Sequence, residues 1–174
     1  MSRAGAAIGG LLLGSLLPPV PAMASGAEAG MQFTHHDWTL ACDNTRTCRA
    51  AGYQDYNDEL AVSVLLTREA GPRAAVSAQL MLGQYEEAVG PVELSLHIDG
   101  RDLGPVVGAS GDGSVALSSV HVASLLHAVT GEADIAFVAD DGRRWQLSDK
   151  GATAVLLKMD EFQGRLHTPG ALVR

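Results

Sequence analysis

Asp37-Trp38-Thr39-Leu40-Ala41-Cys42, then Asp43-Asn44-Thr45-Arg46-Thr47, then Cys48-Arg49-Ala50-Ala51-Gly52-Tyr53, is the stretch that decides the fold. The opening residues alternate. Trp38, Leu40 and Cys42 fall on one face, the period of a half-buried strand. Asp43 and Asn44 suit a turn because their side chains bond the nearby backbone. The residues from Cys48 to Tyr53 return as a partner strand. An even pair of cysteines this close, in an oxidising compartment, reads as a disulfide between Cys42 and Cys48. The spacing is wider than that of a thioredoxin-type redox pair. A zinc site would need further thiolates or well-placed histidines. The expected unit is a hairpin stapled near its tip, which the chain-entropy model stabilises by roughly 2–2.5 kcal/mol.

More strand signals follow. Ala61–Thr67 is rich in aliphatic and β-branched residues. Ala74–Leu82 places Val76, Ala78, Leu80 and Leu82 on one face. Val92–Ile98 alternates Val92, Leu94, Leu96 and Ile98 against polar neighbours. Asp99-Gly100 is a hairpin signal, since glycine tolerates positive φ, and Arg101–Val107 is its second arm. Gly108–Gly113 reads as a loop and Ser114–Leu117 as a short strand. A helix over about 118–130 follows, capped by Ser118 or Ser119. Val122, Leu125, Leu126 and Val129 form its stripe, and Gly131 is the expected left-handed stop. Ala133–Ala139 and Arg143–Leu147 make a hairpin around Asp141-Gly142. A second helix over about 149–163 is capped by Ser148, buries Ala152, Val155, Leu156 and Met159, and ends at Gly164. Strands first, then helix, hairpin and helix, indicate an α+β domain: a mostly antiparallel sheet or sandwich with two packed helices.

The chain has 174 residues and a formal net charge of −8. That charge argues against nucleic acid, whose phosphates need a basic face, and against anionic lipid. Residues 1–24 read as a signal peptide: Arg3, then an apolar run from Ala4 to Leu17, a proline-rich breaker, and Ala22-Met23-Ala24. That run is about 14 residues, short of the roughly 20 needed to span a bilayer. The expected organisation is a signal peptide over 1–24, one exported α+β domain over 25–165, and a tail or the start of a linker over 166–174. The expected destination is the periplasm or the medium, with no membrane span after cleavage.

No catalytic constellation stands out. His35-His36-Asp37 has the residue types of a metal site, but neighbours on a strand point to opposite faces, and a polar lead-in to the first strand explains them. His121 and His127 are six apart on the first helix, not at the four-residue spacing of a ligand pair. Ser118 and Ser119 are explained by capping. Gly108–Gly113 lacks the lysine and following helix of a phosphate loop. The acid pairs Asp58-Glu59, Glu86-Glu87, Asp140-Asp141 and Asp160-Glu161 suit solvated faces. No metal and no cofactor are expected. Trp38, Arg46, Arg49 and Tyr53 form a candidate binding patch, because aromatics and arginine dominate interface hot spots. The competing reading puts Trp38, with Phe33, in the core around the disulfide.

Three stretches, DWTLACDNTRTCRAAGY, VSVLLTREAGP and LLKMDEFQGRLHTPGALVR, resemble a bacterial exported family catalogued as domain of unknown function 1176. The resemblance runs in order from about Phe33 to the last residue. It implies an envelope protein with conserved cysteines, Cys42 and Cys48 matching the first pair. It implies no activity, substrate or catalytic residue. Members of that family are longer, with further cysteines in a second half, so the chain resembles the N-terminal half, as a short or truncated form. A tryptophan closely followed by cysteine is also similar to the invasion-associated locus B proteins.

The functional expectation is therefore a non-catalytic binding or interaction domain of the cell envelope, stabilised by one disulfide, with an envelope protein or ligand as partner. The alternative is an envelope hydrolase acting on glycan or peptide, with carboxylates or a histidine assembled in space.

Overall fold

A computed structural model describes residues 29–58, 60–83, 93–106 and 114–174. The expected signal peptide, the Gly108–Gly113 loop, the Glu86-Glu87 pair, Glu59, Val92 and Val107 lie outside the described residues. Within them the chain forms two antiparallel sheets and two helices, the α+β class its patterning indicated.

The larger sheet runs β1-β2-β3-β4-β5-β8. Its strands are β1 (Met31–His35), β2 (Trp38–Cys42), β3 (Cys48–Tyr53), β4 (Val62–Arg68), β5 (Val76–Leu82) and β8 (Ser114–Ala116). The smaller sheet runs β10-β9-β6-β7. It comprises β6 (Leu94–Ile98), β7 (Arg101–Val106), β9 (Ile135–Ala139) and β10 (Arg144–Leu147). Helix α1 (Ser119–Val129) packs on β5 and β9, and α2 (Ala152–Phe162) packs on β1, β2 and β3. One continuous apolar cluster joins both sheets and both helices.

The stapled hairpin is as read from the sequence. Cys42 stands directly opposite Cys48, and the two are disulfide-bonded. Trp38, Leu40 and Cys42 are all buried on the inner face. Asp99 and Gly100 both take positive φ, 50° and 76°. Those are the primed-turn values that match the twist of the flanking strands.

Three local expectations are corrected. His35-His36-Asp37 does not lead into the first strand. It closes an earlier hairpin, in which β1 pairs with β2 and His36 turns the chain with φ 48°. Helix α1 is capped by Ser118, whose Oγ accepts from the His121 amide, but the left-handed residue beyond its end is Glu132, not Gly131. Helix α2 is not capped by Ser148. Its cap is Gly151, with φ 95° and no side-chain bond. A Cβ there would lie 2.0 Å from the His35 carbonyl oxygen. The turn ending β1 abuts the start of α2 so closely that a capping side chain has no room.

Ser148 works elsewhere. Its Oγ donates to Asp37 Oδ2 at 2.6 Å and its carbonyl accepts from Trp38 Nε1 at 2.8 Å. The segment after α2, expected as a tail or linker start, lies against the core. Ala171 is buried, and the Leu172 and Val173 amides donate to Asp160 Oδ2.

Candidate functional site

The structure does not bring the four candidate patch residues together. Trp38 is fully buried on the inner face of β2, beneath α2. It supports the hairpin and presents nothing to a partner. Arg49 and Tyr53 point outward from β3, separated by Ala51, and Tyr53 is 45% exposed. Arg46 sits apart at the hairpin tip in the left-handed region, φ 64°.

The tip is organised by Asp43. Its Oδ1 accepts from the Thr45 amide at 2.9 Å, the Thr47 amide at 3.0 Å and the Thr45 hydroxyl. The Thr45 hydroxyl first, then the two amides and Arg49, hold its carboxyl below the ordinary carboxylate range. A lowered folded-state value means that the carboxylate supports the tip fully above about pH 4, the unfolded value, and less as pH falls through the lowered one. Asp43→Ala should therefore lower the protection factors of the Thr45 and Thr47 amides at neutral pH, and in the wild type the same factors, taken relative to the slower intrinsic exchange in acid, should fall as Asp43 is protonated. Hydrogen exchange read by NMR checks this. Unchanged protection in the variant would show that the disulfide alone orders the loop.

A second constellation escaped the sequence reading. Arg68 and Asp160 form an ion pair at 2.6 Å with side chains 1% and 0% exposed. Asp160 is thus not on a solvated helix surface. Arg68 Nε donates to Gln163 Oε1, and Gln163 Nε2 donates to the carbonyls of Arg46 (2.6 Å) and Arg68 (3.1 Å). Arg68 Nη1 reaches the Gly170 carbonyl at 3.3 Å. Parts of the three stretches quoted for the family resemblance meet here. The hairpin tip, the end of β4 and the chain after α2 are bound into one corner.

Both partners had a visible signal. Val62, Val64, Leu66 and Arg68 continue one inward alternation, and Asp160 lies four residues after Leu156 on the buried stripe of α2. A charge at an inward position needs an opposite charge beside it, and each supplies the other's need.

The third feature is the outward face of the larger sheet. Strand by strand it carries Gln32 and Thr34; Thr39 and Ala41; Arg49, Ala51 and Tyr53; Ser63, Leu65 and Thr67; Ser77, Gln79 and Met81; Ser114 and Ala116. Arg49 is the single charge across these outward positions of the described residues. All of these side chains are partly or fully exposed, while α2 covers part of the opposite face.

A serine meets an acid in the part-buried contact between Ser148 and Asp37. Ser148 donates directly to Asp37, with no imidazole between. His121 Nε2 lies 3.3 Å from the Leu103 carbonyl oxygen, and His97 is 3.9 Å from Asp102. Among the described residues no group of three or more His, Cys, Asp or Glu converges to hold a metal ion. No helix among them is long and apolar enough to cross a membrane.

No curated protein and no solved structure matches the chain. A likeness to the invasion-associated locus B proteins is not shown. Contrary to the expectation of an N-terminal half, the family match runs unbroken from residue 32 to residue 174. The described residues from Gln32 to Arg174 fall within that match, and the chain belongs to the family described as protein of unknown function DUF1176.

Proposed function

We propose that this protein is an exported, non-catalytic binding domain of the cell envelope, and that it contacts an envelope protein through the outward face of the larger sheet. The observation that carries the reading is the composition of that face. Charged residues make up 18% of the chain, yet across six strands the outward positions hold hydroxyls, amides, alanines, Leu65, Met81, Tyr53 and one arginine. Water-facing sheets ordinarily intersperse charges of both signs. Sparing charge suits a surface that is desolvated on contact. Tyr53 and Arg49, the residue types that anchor interfaces, both stand on β3, one of its middle strands. The stapled hairpin and the paired central strands keep the face rigid, which lowers the entropy lost on binding. Export is supported by the pattern of residues 1–24 and by the use of both cysteines in a disulfide.

The test is site-specific photo-cross-linking in the host cell. A photoreactive residue replaces Leu65 or Tyr53 on the face, or Leu157 on the exposed side of α2 as control. A discrete adduct from the sheet positions and none from the control is expected. Equal labelling from all three, or none from the face, overturns the proposal.

A further inference from the structure

The outward face of the larger sheet carries one side chain that can turn polar without gaining a charge. Met81 stands outward on β5 and is 45% exposed. The other described methionines are covered. Met159 is fully buried in the core, and Met31 is partly buried against it. A thioether is oxidised where an oxidant can reach the sulfur, so the fold sorts three chemically equal side chains by access.

The surroundings of Met81 keep it open. Its partners across the ladder are Ser63 on β4 and Ser114 on β8, both short. The same cross-strand row runs on to Tyr53, the other large apolar side chain that the face exposes strongly. Leu80 and Leu82, its neighbours along the strand, are buried and carry the packing of β5. A change confined to the Met81 sulfur therefore meets water and not the core. At Met159 the same change would put a polar group among buried apolar ones.

The reaction is a two-electron oxygen transfer. A sulfur lone pair attacks one oxygen of hydrogen peroxide. The S–O bond forms as the O–O bond breaks, and the departing hydroxide takes the proton of the transferred hydroxyl. The thioether is oxidised to the sulfoxide and the peroxide is reduced to water. The sulfoxide is polar, and reductases return it to the thioether.

We propose that Met81 is a reversible oxidation site for hydroperoxides, and that its sulfoxide weakens the contact made by the sheet face. The second part rests on the reading of that face as a contact surface, and the first does not. A partner seated on the face must desolvate the new S=O group, which costs affinity.

The purified protein is treated with hydrogen peroxide, and its digests are followed by mass spectrometry. Oxygen should be gained at Met81 about tenfold faster than at Met159, whose sulfur waits for the core to open, and the urea midpoint should not move at that stage. Methionine sulfoxide reductase should reverse the gain. Equal rates at Met81 and Met159, or oxidation of Met81 only once the fold has opened, overturn the site.

In the host cell, the cross-linked adduct from the photoreactive residue at Leu65 should fall about tenfold after peroxide. Met81→Leu has no sulfur to oxidise there, and should show no such fall relative to its own untreated yield. A wild-type adduct that survives oxidation of Met81, or an equal fall in Met81→Leu, overturns the weakening. No adduct before peroxide overturns the sheet-face reading instead, and the rates at Met81 and Met159 then decide the oxidation site alone.

Discussion

Asp160→Ala should destabilise the fold by about 3–5 kcal/mol, read as a lower urea midpoint at an unchanged slope. The substitution leaves the Arg68 guanidinium buried with its charge uncompensated and strips the acceptor from the Leu172 and Val173 amides. The penalty comes from the orphaned partner more than from the lost attraction, because both charges were desolvated to form the pair. The double variant Arg68→Met with Asp160→Leu should therefore recover much of the loss. A single variant that loses no more than about 1 kcal/mol, the value of an exposed pair, would show that water reaches this corner.

Trp38→Ala should be of similar size, about 3–5 kcal/mol, from lost apolar burial and the cavity left beneath α2. The indole has no exposed surface, and its Nε1 donates to the Ser148 carbonyl at 2.8 Å. Its neighbour across the hairpin is Gly52, where a Cβ would lie 2.4 Å from two ring atoms. Gly52→Ala should thus be strongly destabilising in the wild type and nearly neutral once Trp38 is alanine. A double-mutant cycle by thermal or urea unfolding checks this. Additive effects would mean that the ring moves aside for the methyl group.

The legible and illegible parts of the fold divide along one line. Alternation marked β2, β5 and β6 because one face of each is buried and the other meets water, and aliphatic, β-branched composition marked β4. The Asp99-Gly100 turn was legible because its requirement, positive φ, is local. Strand β1 was missed because Met31-Gln32-Phe33-Thr34-His35 is an edge strand with only two apolar inward residues, both partly buried, which is too short an alternation to stand out. The glycine that opens α2, Gly151, owes its place to His35, far away in sequence. The same holds for the site. Residue type singled out Arg49 and Tyr53 as candidates, but the uncharged face around them is a property of six strands in register. Arg68 and Asp160 each broke an apolar pattern visibly, and only the fold shows that they meet.

Helix α2, which covers the first hairpin, comes long after it in sequence. Trp38, Leu40 and Cys42 remain without their cover until residues 152–162 exist and have docked, and the Trp38–Ser148 bond closes a separation of 110 residues. Long-range closure of this kind slows folding. A chain emerging from its amino end therefore holds an oily, half-covered sheet until α2 follows, and its vulnerable interval is set by how quickly that helix arrives.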